Sequence, residues 1–383
     1  MPAQQKALFL LEAKGKFAVQ QKDIPKPGPG ELVVEVLATS LNPVDWKIQE
    51  TGFFIKDYPA ILGQDVAGIV REVGEGVTEF AVGDKVIHQG YISNRLAAFQ
   101  QYMVASAEIT AKLPENISLD QAGAIPLVLS TAALGLYSAK EGGGAALTAP
   151  WLEGGRGKYA GQPILIFGGS SSVGQFAIQL AKLSGFSPIL TTASARNEAY
   201  LKSLGATHVL TREAVPLSSL ASEIKMITPQ PLKVVYDSIS SAETQNAAYD
   251  VVTPGGQVMI VTACAIDEAK RTSDKEIVQV FGSVHTPQNR PSGIALYKNL
   301  TELLRKGDLK PNHVEVLPNG LAGIPDGLAK LKAGVSAVKL VPWFKEIFHG
   351  QVGPGSEQAL PAASNIADHG EQKLEGYVLV VNH

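Results

Sequence analysis

Gly168-Gly169-Ser170-Ser171-Ser172-Val173-Gly174 is a string of mostly small residues that lets a chain turn sharply and approach a phosphate closely. It follows the apolar run 163–167, which reads as a strand, and it opens the helical pattern 175–184. A strand, a small-residue turn and a helix start together offer free amide N–H groups and the positive end of a helix dipole. The chemistry implied is the binding of a pyrophosphate. An ordinary strand-to-helix turn also favours glycine and serine, so the flanking elements carry the reading rather than the string alone.

A second set of residues bears on what the pyrophosphate belongs to. The next strand ends in Thr191-Thr192-Ala193-Ser194-Ala195-Arg196-Asn197, with no acid before Glu198. An acid at that point would bind a ribose 2′-hydroxyl and repel a 2′-phosphate. Ser194 and Arg196 instead suit a 2′-phosphate, which arginine grips with paired hydrogen bonds. NADPH is therefore the expected coenzyme, although Arg196 also reads as a solvated first-turn residue. Tyr200, one helical turn on, either stacks on the adenine or packs locally. Asp237 and Val261 end later strands, where carboxyl termini face the ligand crevice.

These residues need elements to hold them. From about 127 to 284 strands and helices alternate: 163–167, 188–191, 207–210, 232–236, 257–261 and 278–283 read as strands, with helices at 195–204 and 242–252. Repeated units of this kind imply a doubly wound parallel sheet covered on both faces. Before it, to about residue 125, short strands at 31–37, 66–73 and after the turn at 80–84 describe a β-rich barrel or sandwich. After a helix at 294–305 the chain returns to that first domain. The Gly-rich stretch 141–161 reads as an exposed loop. The stretch 337–372 mixes Pro, Gly, Ser and charge without period, and reads as an insertion or disordered segment before a closing strand at 374–381.

Composition narrows the partners. The chain has 383 residues, 45% of them hydrophobic, enough for two domains. Its formal net charge of −3 with dispersed Lys and Arg argues against nucleic acid. No apolar stretch reaches the roughly 18 residues that cross a bilayer. One cysteine, Cys264, excludes an intramolecular disulfide and fits a reducing compartment. The first residues lack the apolar core of a secretory signal, so a cytoplasmic protein is expected.

The whole pattern resembles the medium-chain dehydrogenase/reductase superfamily. The resemblance rests on Asn42-Pro43-Val44-Asp45-Trp46-Lys47, Gly63-Gln64-Asp65-Val66-Ala67-Gly68, Val82-Gly83-Asp84-Lys85-Val86, Ser130-Thr131-Ala132-Ala133 and 164–174. Within the superfamily it looks like the zinc-free quinone oxidoreductase and enoyl reductase branch, and it is similar to fungal trans-acting enoyl reductases. The resemblance implies an α/β protein: a GroES-like β-rich catalytic domain (1–126 and 295–383) and a Rossmann NADPH-binding domain (127–294). It also implies reduction of an activated C=C bond in an enoyl thioester or polyketide-type substrate, delivered free or on a carrier protein. Quinone or enone reduction, or nucleotide binding without turnover, are the alternatives. Monomer and homodimer both stay open.

The resemblance also directs attention to site residues. Members with a catalytic zinc carry Cys where Asn42 stands and His-Glu where Gln64-Asp65 stand, so no metal is expected. Hydride transfer to an enoyl Cβ leaves an enolate, which needs hydrogen-bond donors and a proton. The candidates are Asn42, Lys47 and Tyr58. In zinc-free relatives the matching Asn lies by the nicotinamide, while a turn role before Pro43 is the alternative. Lys47 is either a donor or a solvated lysine beside an aromatic; Tyr58 is a donor or, preferably, a pocket wall. Thr131 matches a threonine that contacts the nicotinamide end, and as a helix-opening residue it would also be an N-cap.

Overall fold

The computed structural model describes residues 3–344. Six short strands form a wholly parallel sheet in the order His208–Thr211, Ile189–Ala193, Ile164–Phe167, Val234–Asp237, Gln257–Ile260, Glu276–Gln279. The strand order reverses direction at Ile164–Phe167, the doubly wound arrangement expected from the sequence, and ligands bind at such a switch point. Ile164–Phe167 and Val234–Asp237 are buried along their whole length, because helices cover both faces of a parallel sheet. Ser172–Leu183 and Pro126–Tyr137 pack together on one face. The last strand lies two residues earlier than the pattern at 278–283 had placed its start.

Two further sheets are antiparallel. A five-stranded sheet runs Tyr102–Ser106, Glu31–Ala38, Asp65–Val73, Lys85–Gln89, Thr110–Lys112, and a three-stranded one runs Phe17–Asp23, Gln4–Leu10, Ala60–Ile61. Glu31–Ala38 shifts register twice against Asp65–Val73, between Val33 and Val34 and between Val36 and Ala38. Such bulges bend a strand and re-aim the residues after it, here Thr39 to Asn42. The fold is thus α/β, with a GroES-like antiparallel part and a Rossmann part.

Two expectations are corrected. The stretch 141–161 is a loop that is exposed mainly over 152–161, whereas 142–151 is largely packed inward. Ala145 and Ala149 are buried in the main core, Trp151 meets the Tyr137 ring edge-on at 5.2 Å, and Tyr159 stacks on Phe186 at 4.8 Å. Apolar side chains spaced through a Gly-rich stretch supply enough burial to order it without helix or strand. The segment 337–372 likewise does not begin as an insertion: Lys339–Pro342 is a strand, paired in parallel with Val314–Leu317. It also runs beside residues 39–41, with Leu41 N–H donating to the Leu340 carbonyl at 2.9 Å. The rest of that segment, and the strand expected at 374–381, lie outside the described residues.

A polar clasp joins the two sheets' territories. The Gln89 side chain donates to the Gly282 carbonyl at 2.7 Å and accepts from Val284 N–H at 3.1 Å. His285 Nε2 donates to the Gln89 carbonyl at 2.6 Å, and its ring meets His88 edge-on at 5.6 Å. Burial and the nearby Arg290 guanidinium hold His285 down at about 4, and burial holds the fully enclosed His88 well below the usual imidazole range. Both are neutral in the fold and protonate more readily when it unfolds. Stability is therefore fully present above an ordinary histidine pKa of about 6.5 and is lost as pH falls from there toward 4. The urea midpoint should fall across that window more steeply than that of His285→Gln; parallel curves would mean that the imidazole is already charged in the fold.

Candidate active site

The strand Ile164–Phe167 ends at Gly168, whose φ of +69° is open to glycine but strained for other residues. Its N–H donates to Thr192 Oγ1 at 3.0 Å, and Gly169 N–H donates to the Thr192 carbonyl at 3.0 Å, which fixes the turn against the neighbouring strand. Ser171 caps Ser172–Leu183 by accepting from Gly174 N–H at 3.0 Å, and Ser171 Oγ meets Ser238 Oγ at 2.8 Å. The amides of Ser172 and Val173 begin the helix and have no intrahelical partner. A Cβ at Gly174 would lie 2.3 Å from the Gly168 carbonyl oxygen. The helix start therefore sits directly against the turn, with Ser170 and the two free amides at its half-exposed edge. This cradle fits a diphosphate.

The neighbouring strand pairs Ala193 with Thr211, so the residues that follow them, Ser194 and Arg212, become neighbours. Arg212 donates to Ser194 Oγ at 2.6 Å. Arg212 was missed in the sequence because nothing local marks it; only the parallel register brings it to Ser194. Arg196 is exposed on the 3₁₀ turn Ala195–Asn197. Tyr200 donates to Gln175 Oε1 at 2.8 Å and stacks on His313 at 4.3 Å, so one ring face and the hydroxyl already serve packing. Asp237 is fully buried, its Oδ1 accepting from the amides of Ile239 and Ser240 at 3.0 and 2.8 Å, and burial raises its pKa. Val261 follows its strand and donates its N–H to Ser240 Oγ at 2.9 Å.

Asn42 precedes the helix Pro43–Thr51, and its N–H donates to Asp45 Oδ2 at 2.8 Å. Its side chain turns inward. Nδ2 donates to Asp65 Oδ2 at 2.7 Å and to the Ser40 carbonyl at 3.3 Å, while Oδ1 accepts from Lys339 Nζ. Asp65 also accepts from Ser40 Oγ and, at 2.6 Å, from the Leu127 amide; Lys339 Nζ lies 3.7 Å from its Oδ2. Ser40, Asn42, Asp45, Asp65 and Lys339 are all buried. Burial lowers the Lys339 pKa and pushes Asp45 up to about 7, leaving that carboxyl partly protonated at neutral pH. Lys339 had been read into an unstructured insertion. The run Val338-Lys339-Leu340-Val341 was the available signal for a strand.

Lys47 is half-buried on Pro43–Thr51, its Nζ 5.7 Å from the Trp46 ring centre, and burial lowers its pKa. The Tyr58 hydroxyl is enclosed, with no hydrogen-bond partner among the described residues, and desolvation raises its pKa. Thr131 does not cap a helix: Pro126–Tyr137 begins at Pro126, whose missing N–H suits a first position, so Thr131 falls mid-helix. Its Oγ donates to the Leu127 carbonyl at 2.7 Å, and a Cβ at Gly282 would strike it.

A zinc ion does not fit this donor set. At the positions where zinc-binding members of the superfamily carry ligands stand two amides, Asn42 and Gln64, and one carboxylate, Asp65, already bonded to Ser40, Asn42 and Leu127. Among the described residues no group of three or more His, Cys, Asp or Glu is placed to hold a metal, and no helix is long and apolar enough to cross a membrane.

Comparison with known proteins supplies the family. Residues 28–115 match the alcohol dehydrogenase GroES-like domain and residues 172–290 the zinc-binding dehydrogenase family. The chain is 30% identical to the trans-enoyl reductase grgB of a Penicillium species over 337 residues, 82% of this chain and 91% of that protein. It is 38% identical to the trans-enoyl reductase himH of Aspergillus japonicus, a match spanning 58% of this chain and 62% of that protein. An alcohol dehydrogenase superfamily protein from Novosphingobium aromaticivorans superposes with a TM-score of 0.73 at 26% identity, over 88% of this chain and 98% of the other. The CurK enoyl reductase shares the fold, with a TM-score of 0.67 at 24% identity over 90% and 100% of the two chains. A Rossmann sheet of the expected strand order, a GroES-like partner and these relatives give one conclusion: the chain is an oxidoreductase of the medium-chain dehydrogenase/reductase superfamily, with fungal trans-enoyl reductases among its homologues.

Proposed function

We propose that the chain is an NADPH-dependent, zinc-independent reductase of an activated C=C bond in an enoyl thioester. The observation that carries this reading is the cradle at Gly168 to Gly174 beside a Ser194–Arg212 pair, on a chain related to trans-enoyl reductases. Bound there, the reduced nicotinamide supplies the hydride. Gly168, Gly169, Ser170, Ser171, Ser172, Val173 and Gly174 hold the diphosphate through backbone amides and small side chains. Ser194, Arg212 and Arg196 take the 2′-phosphate, Asp237 and Val261 shape the crevice at their strand ends, and Thr131 borders the nicotinamide end.

Asn42, 2% exposed and bonded at every amide group, forms the rigid floor of the site. The enolate that follows hydride addition draws its proton from Lys47 or Tyr58. Burial makes the Lys47 ammonium a stronger acid than in water and keeps the Tyr58 phenol protonated at neutral pH.

Purified protein with NADPH should consume the reduced-nicotinamide absorbance with crotonyl thioester faster than with an enone or a quinone. Turnover with quinone alone would move the assignment to quinone reduction, and coenzyme binding without turnover on any acceptor would refute an enzymatic role. Arg212→Ala should raise KM for NADPH roughly tenfold or more, the loss expected for a hydrogen bond to a charged group. Arg196→Ala should act in the same direction. In both, KM for NADH should stay nearly constant; equal changes for the two coenzymes would remove the 2′-phosphate assignment.

A further inference from the structure

Besides the Asn42 cluster and the Gln89 clasp, the two parts of the molecule also touch through a pair of aromatic rings. Phe54 lies in the segment that follows Pro43–Thr51 and is 37% exposed. Its φ is +67°, a conformation that a bulky side chain keeps only where its surroundings hold it. Those surroundings are the Phe53 ring, 4.6 Å away, and the Phe281 ring, met edge-to-face at 6.3 Å and 74°. Phe281 comes from the other part of the molecule: it follows Glu276–Gln279, the last strand of the parallel sheet, at the carboxyl end where such sheets bind ligands. The next residue, Gly282, packs on Thr131 so closely that a Cβ there would lie 2.2 Å from Thr131 Oγ1. The ring pair therefore bridges from the segment after the helix that Asn42 starts to the carboxyl end of the parallel sheet, beside Thr131.

We propose that Phe54 and Phe281 form an aromatic gate that selects a flat, conjugated acyl chain over a short saturated-tailed one; the proposal rests on the enoyl reductase reading above. A conjugated chain presents π faces and C–H edges along its length, and ring edges and faces complement both. Each added vinylene unit extends that contact and removes more apolar surface from water, and a four-carbon acyl group offers the rings the least of it.

The test compares wild type, Phe54→Ala, Phe54→Leu and Phe281→Ala with two pantetheine thioesters, crotonyl and a longer 2,4,6-trienoyl. The ratio of kcat/KM for trienoyl over crotonyl should fall about tenfold in each variant, as expected when contact with two or so chain carbons is lost. Phe54→Leu keeps apolar bulk and removes only the ring, so a loss there separates ring contact from folding. An unchanged ratio in all three variants would overturn the gate. Binding of the trienoyl thioester to the NADPH-loaded protein, followed by its own absorbance, is read in parallel. If wild type turns over neither thioester yet binds the trienoyl one, and the variants do not, the enoyl reductase reading falls and the gate stands. Equal binding by wild type and variants would remove the gate whatever the turnover.

Discussion

Gly174→Val should abolish coenzyme binding: titration calorimetry with NADPH is expected to give heat with wild type and none with the variant. The added Cβ would sit 2.3 Å from the Gly168 carbonyl oxygen and 2.9 Å from the Gly169 Cα, both backbone atoms of the phosphate turn itself. A side chain could rotate away from such a clash; a backbone can yield only by moving the turn. The amides of Ser172 and Val173 would then no longer converge on the space the diphosphate needs. Gly174→Ala places the same Cβ without the two γ carbons and should weaken binding less. Affinity retained within threefold in the valine variant would mean that the phosphates lie elsewhere.

Lys339→Met is expected to destabilise the fold by about 3 kcal/mol, the usual consequence of removing one partner from a buried ion pair. Asp65 is fully buried and would keep its carboxylate with only the neutral donors Ser40, Asn42 and Leu127 N–H. Asn42 Oδ1 would lose its donor as well. Urea unfolding reads the loss. Adding Asp65→Asn to Lys339→Met should recover part of it, because the second change removes the stranded charge; a double variant worse than the sum of both singles would show that the pair is not coupled in this way. Below neutral pH the deficit should shrink as Asp45, which burial pushes up to about 7, takes up its proton and no longer needs the missing cation.

The parts of the site that were legible in the sequence are those held by contiguous residues. The turn 168–174 carries its own signal, as small residues between an apolar strand and a helix, and so do the strand ends at Ala193 and Asp237. Arg212 and Lys339 were not legible for a common reason: each reaches its place through strand register. Arg212 meets Ser194 only because Ala193 pairs with Thr211. Lys339 meets Asn42 because a four-residue strand lies beside residues 39–41, after bulges that the apolar pattern of 31–37 does not reveal. A lysine in a short apolar run reads as a surface residue until its buried partners are known. The segment 141–161 misled in the opposite sense, since glycine content concealed the anchoring role of Ala145, Ala149, Trp151 and Tyr159. The N-terminal strand Gln4–Leu10 went unnoticed because its first residues are polar, although from Ala7 on it is wholly buried.

The position of Lys339 has a consequence for biosynthesis. The floor beneath Asn42 is drawn from both extremes of the described sequence, so residues 40–65 wait, during translation, for a cation encoded almost three hundred codons later. Until that strand emerges from the ribosome, Asp65 lacks the lysine beside it in the finished fold. The six strands of the parallel sheet are all encoded by residue 279, so that half of the fold has its full sequence on the nascent polypeptide before the buried floor under Asn42 does.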